Sequence, residues 1–247
     1  MCIRDSPFSD QLPRDLHTCP SSMRRRKMQR ILILLGIYAV AMALLEAAVV
    51  VYMRRLYYPE NPLQLFPLRF LSDYDPFLEL SREVATIVMI VAVALLAERK
   101  SMTRSFAAFV FVFGVWDLCY YVWLKVLVDW PQSWLEWDVL FLIPCVWLGP
   151  WICPAAIAML FVVWGAWTLL SERDIVFSIT SLTVFATGAC LGLTTFMQPA
   201  IANGTETLSS FLPVGFWWRL FFIGYLLMAA GLALTVWSSR AQAVKHG

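Results

Sequence analysis

The 247-residue chain is 60% hydrophobic and only 15% charged, and its 19 Lys and Arg against 17 Asp and Glu leave a formal net charge of +2. Soluble domains run at about 45–50% apolar and about 25% charged, so a mean hydropathy of +0.70 carried in long apolar runs makes this an integral membrane protein. Disorder, a disulfide-rich secreted scaffold, a soluble Rossmann or TIM-barrel enzyme and a nucleic-acid partner are excluded.

Residues 1–22 show neither helical nor strand periodicity and read as a disordered tail. Their opening MCIRDS resembles a translated adapter, which makes this stretch non-native in the present reading. Met23 opens MRRRKMQR, a basic flank, and the first span follows over about 31–53. Its apolar run is too long for a cleaved signal peptide and lacks a small-x-small exit. The second span, about 76–98, starts at Asp75-Pro76, read as an N-cap followed by proline at the first helical position. The third covers about 105–127.

Residues 138–148, DVLFLIPCVWL, are apolar but 11 long, too short to cross a bilayer of about 30 Å. Pro144, Gly149-Pro150 and Pro154 interrupt the run, and proline removes a backbone donor. The segment is predicted as a short broken or re-entrant helix buried in protein between spans three and four. Spans follow over about 153–171, 175–197 and 213–238. The fold expected is all-α, a six-span helical bundle forming one transmembrane domain over 23–247.

Leaving out Arg4 and Arg14, eleven Lys and Arg, from the flank before span one, the loops joining spans two to three and four to five, and the C-terminus, fall on one side; six fall on the other. The positive-inside rule then puts both termini in the cytoplasm, in a bacterial inner membrane. Trp130, Trp134, Trp137, Trp217, Trp218, Tyr57 and Tyr58 gather at the outer ends as interfacial anchors. Asn203-Gly204-Thr205 matches a glycosylation acceptor by chance in a bacterial protein.

An ionisable residue within a span costs roughly 2.5–3.5 kcal/mol on insertion scales, so each needs a reason. Glu46 lies eight residues before Arg54, about 12 Å below the outer end at about 1.5 Å per residue. Asp117 sits at a similar depth in the third span, Glu83 lies eight residues into the second, and Asp138 opens the broken segment. Asp117, Tyr121 and Lys125 are spaced i, i+4, i+8 on one face, while Glu79, Arg82, Glu83 and Thr86 share a side of the second helix. Four carboxylates from four segments therefore meet in the outer half, and the expected site is an acidic, tyrosine-lined pocket open to the outside. Its ligand-binding candidates are Glu46, Glu83, Asp117, Asp138, Arg82, Tyr121 and Lys125. The alternative is a network that only fixes helix register.

The only histidines, His17 and His246, lie in polar tails, which excludes histidine-box oxidation, His-ligated haem, HExxH proteolysis and a Ser–His pair. Cys119, Cys145, Cys153 and Cys190 lack CxxC spacing and read as packing residues, so neither metal nor cofactor is expected. Asp73-Tyr74-Asp75 matches an acidic DxD pair at three residues only and is already explained by the helix start. Thr180, Thr183, Thr187, Cys190 and Thr194 form a small polar stripe on span five, with Gly188 and Gly192 as a GxxxG on an adjoining face; both are read chiefly as packing surfaces.

The leading functional expectation is binding or passage of a small ligand or cation through this pocket, coupled to protons by a titrating carboxylate, with lipid bilayer as the surroundings. A complete alternating-access device of this length would need a homodimer. A second expectation is an intramembrane enzyme on an isoprenoid or lipid-like substrate, Glu46 and Asp117 serving as acid and base. A third is a structural or assembly subunit. No reaction and no substrate are named by the sequence.

Overall fold

The computed structural model describes residues 21–63, 65–66, 74–99, 101–143, 145–171, 175, 177–203 and 215–245. The expectations placed on residues 1–20, Asp73, Pro144, Gly204, Thr205 and His246 lie outside these. The element order is α1 (Ser21–Tyr57), α2 (Asp75–Ala97), α3 (Met102–Val128), β1 (Trp137–Phe141), β2 (Trp147–Pro150), α4 (Ile152–Leu170), α5 (Ile179–Asn203) and α6 (Trp218–Lys245). All six helices are long and apolar enough to cross a membrane.

α1 starts ten residues earlier than its apolar run, because the Arg-, Lys-, Met- and Gln-rich flank is made of good helix formers. It stops where Pro59 forces the preceding residue out of helical geometry. Asp75 does not cap α2. The cap position belongs to Tyr74, without a side-chain hydrogen bond, and Asp75 is the first helical residue, its charge complementing the helix dipole. Ser101 does cap α3, accepting from the Arg104 amide at 3.4 Å. α3 ends on Asp129 in the left-handed conformation, φ 57°, where its N–H reaches the Lys125 carbonyl at 3.1 Å.

The segment between α3 and α4 is not a broken or re-entrant helix. It is an antiparallel β-hairpin, pairing Trp137 with Pro150, Asp138 with Gly149, Val139 with Leu148 and Phe141 with Trp147, with an irregularity between Val139 and Phe141. Its apolar run has aromatic and β-branched residues suited to a pleated surface, and pairing satisfies backbone groups that prolines would leave open in a helix. An isolated hairpin is marginal; this one is anchored. The Trp151 amide bonds the Glu136 carbonyl at 3.0 Å, Leu148 is fully buried, and Phe141 packs on Phe113, Trp116 and Trp147 with centroids 5.4–6.4 Å apart.

Glycine sets the helix approaches. A Cβ on Gly114 would come within 2.5 Å of the Ala158 carbonyl of α4, and one on Gly165 within 2.7 Å of the Ala107 carbonyl of α3. Gly188 meets Gly224 of α6 in the same way, at 2.5 Å, whereas a Cβ on Gly192 would meet nothing within 4 Å. The GxxxG thus packs α5 on α6 mainly through its first member. The polar stripe of Thr180, Thr183, Thr187, Cys190 and Thr194 is exposed throughout, and Thr194 satisfies its hydroxyl on the Cys190 carbonyl at 2.8 Å. At the end of the bundle away from the hairpin, buried Arg104 donates to the last carbonyls of α4, Leu169 at 2.6 Å and Ser171 at 3.1 Å, and approaches Glu98 at 3.5 Å. One guanidinium there closes an otherwise open helix terminus.

Candidate functional site

Four elements converge on one cavity of about 140 Å³. The C-terminal part of α1 contributes Glu46, Val50, Met53, Arg54 and Tyr57, a single face at helical spacing, and Tyr58 follows just past its end. The start of α2 adds Glu79, Arg82, Glu83 and Thr86, the later half of α3 adds Trp116, Asp117, Tyr120 and Tyr121, and the hairpin contributes Asp138–Leu142. Five carboxylates face two guanidinium groups in this wall.

Most of the charges are held in place. Arg82 donates through Nη1 to Glu46 at 2.6 Å and through Nε to Glu79 at 2.9 Å, so one guanidinium clamps α1 to α2. Trp116 Nε1 of α3 donates to the other oxygen of Glu46 at 2.9 Å. Glu46 is therefore a three-helix joint, with both oxygens occupied. Both oxygens of Glu83 accept from the Leu142 amide, at 3.0 and 3.1 Å, which ties the hairpin to α2.

Asp138 is buried and lies 3.7 Å from Arg54, too far for a hydrogen bond. It accepts instead from the Val139 amide and the Tyr121 hydroxyl. Burial pushes its carboxyl up to about 6, although Arg54 and those two donors pull the other way.

Two groups remain unmatched. Asp117 faces the cavity from α3, and its buried Oδ2 has no hydrogen-bond partner among the described residues. Arg54 is 3% exposed and sits 4.2 Å over the Trp130 ring, yet none of its three nitrogens has a hydrogen-bond partner among the described residues. Buried polar groups are almost always bonded, and leaving one unmade costs roughly 1–3 kcal/mol, more for a charge.

The structure thus brings Glu46, Glu83, Asp117, Asp138, Arg82 and Tyr121 around one space. Lys125 is not there. It continues the Asp117–Tyr121 face past the cavity, where it pairs with exposed Asp129 at 2.6 Å and donates to the Pro131 carbonyl at 3.1 Å. Arg54 was not among the sequence candidates, where it served only to mark the outer end of the first span. Its spacing was a usable signal, since Glu46, Val50 and Arg54 are i, i+4, i+8. Tyr57, Tyr58, Glu79, Trp116 and Tyr120 were likewise not singled out as lining.

Among the described residues no three His, Cys, Asp or Glu are grouped to hold a metal ion; the acidic lining is spread around the wall, not gathered as a cage. Comparison with family models, with curated proteins and with solved structures finds no match.

Proposed function

We propose that this chain is a multi-pass protein of the bacterial inner membrane, both termini cytoplasmic, whose outward-facing pocket binds or passes a small cationic ligand. Membrane residence is supported by large apolar side chains left on the helix surfaces, among them Ile33, Leu34, Leu45, Val88, Leu96, Val163 and Trp237. In water such continuous patches would associate; in lipid they are solvated. The asymmetry of Lys and Arg supports the orientation.

The observation that carries the ligand reading is Asp117 Oδ2, without a partner in a cavity lined by more carboxylates than arginines. A purely structural network accounts for Glu46, Glu79 and Glu83, each tied to a donor on another residue. It gives no reason for Asp117. An ammonium or other donor-bearing ligand satisfies that oxygen and balances the charge of the wall. The aromatic rings of Tyr57, Tyr120, Tyr121 and Trp116 suit a cation as well. If the ligand crosses, a carboxylate that exchanges it for a proton supplies the coupling.

The test is calorimetric titration of n-butylamine into the purified protein in lipid nanodiscs. Wild type is expected to bind, and Asp117→Asn to weaken binding at least tenfold, about 1.4 kcal/mol, while remaining folded. Absence of binding to wild type, or equal binding to the folded variant, overturns the reading.

A further inference from the structure

We infer that the ligand of this pocket also carries an anionic oxygen group, carboxylate or phosphate, which docks on Arg54, so that the natural occupant is zwitterionic. The inference rests on the pocket reading above and specifies its ligand class.

Arg54 is a cation placed where a structural role would leave its nitrogens bonded, and they are not. Its charge is balanced by Asp138 at 3.7 Å and by the Trp130 face at 4.2 Å. Those contacts leave its N–H groups unused, because Asp138 takes its hydrogen bonds from Val139 and Tyr121. A guanidinium has five N–H donors in a flat fork. The Trp130 ring lies under the guanidinium carbon and takes none of its N–H groups, and a flat fork of such donors is what pairs with two oxygens of a planar or tetrahedral oxyanion. Arg54 lines the cavity wall together with Asp117. An ammonium at Asp117 and an oxyanion at Arg54, joined by a short chain within about 140 Å³, complete both unmatched groups at once.

That chemistry has two sources, a free amino acid or the phosphoethanolamine headgroup of a lipid. Calorimetry on wild type in phosphatidylglycerol nanodiscs compares glycine, β-alanine, γ-aminobutyrate, 5-aminovalerate and phosphoethanolamine with amines of the same length that lack the anion. At least one zwitterion is expected to bind tenfold or more tightly than its matched amine, and the chain length that binds best reads the separation of the two groups. Arg54→Lys, which keeps the charge but loses the fork, is expected to lose the tenfold increment of zwitterion over matched amine. Repeating the titration in phosphatidylethanolamine nanodiscs separates the sources: competition that weakens the soluble zwitterion identifies the headgroup, and unchanged affinity identifies a free molecule.

If amines and zwitterions bind wild type equally, the anion site is overturned while the cation pocket stands. If no amine and no zwitterion binds, the pocket reading falls and this inference with it. The wild-type ratio decides the matter even where Arg54→Lys fails to fold.

Discussion

Asp138 shows how one side chain can be tuned from several elements. It belongs to β1, receives a hydroxyl from Tyr121 of α3 and faces Arg54 of α1. Burial outweighs these favourable partners and pushes the folded carboxyl up to about 6, from an ordinary value of 3.8. A group raised on folding binds its proton more tightly in the folded state. Its contribution to stability is then complete below about pH 4 and declines as pH rises through about 6. The difference in Tm between wild type and Asp138→Asn, followed in detergent, is therefore expected to shrink from pH 4 to pH 6. A difference that is flat or grows over that window would mean that Asp138 is stabilised as the anion by Arg54. Residue identity was the most legible layer of the sequence. Glu46, Glu83, Asp117 and Asp138 were conspicuous because charge among apolar residues is costly. Arg54 was not, because a basic residue at a helix end has an ordinary explanation.

At the scale of elements, the helices were legible and the hairpin was not. Each helix announces itself by an apolar run that only one structure can carry across its length. The run DVLFLIPCVWL carries no such signal: apolar on every side and broken by prolines, it fits a kinked helix and a buried hairpin equally. What selects the hairpin is tertiary, above all the Glu83 carboxylate that accepts the Leu142 amide. Glu83→Leu removes that acceptor, whereas Glu83→Gln keeps a carbonyl oxygen in the same place. Hydrogen exchange at the Leu142 amide should accelerate at least tenfold in the leucine variant and far less in the glutamine variant. Equal protection in all three proteins would show that packing of Phe141 and Leu148 holds the hairpin without α2.

At the scale of the whole molecule, the two ends of the bundle use charge differently. Arg104 spends its two terminal nitrogens on the carbonyls that end α4 and turns its Nε toward the Glu98 carboxylate at 3.5 Å. At the hairpin end, Arg82 is equally engaged by Glu46 and Glu79, but Arg54 and Asp117 are not. This division predicts that stability and binding separate by residue. Glu46 joins three helices, so Glu46→Leu leaves Arg82 and Trp116 without their acceptor and should destabilise by about 2 kcal/mol, less than the roughly 3–5 kcal/mol of a fully buried pair because this one is only part-buried. Asp117 has an unmatched oxygen, so Asp117→Asn removes a charge from a wall of carboxylates and gives the site a donor. That change should leave Tm unaltered or raise it, with each 1 kcal/mol of gain worth about 2–4 °C in a chain of this size, even as amine binding is lost. Functional sites commonly hold such locally unfavourable groups. Thermal unfolding of both variants beside the same calorimetric titration decides it: a large drop in Tm for Asp117→Asn would place Asp117 in the structural network with Glu46 and return the cavity to a packing defect.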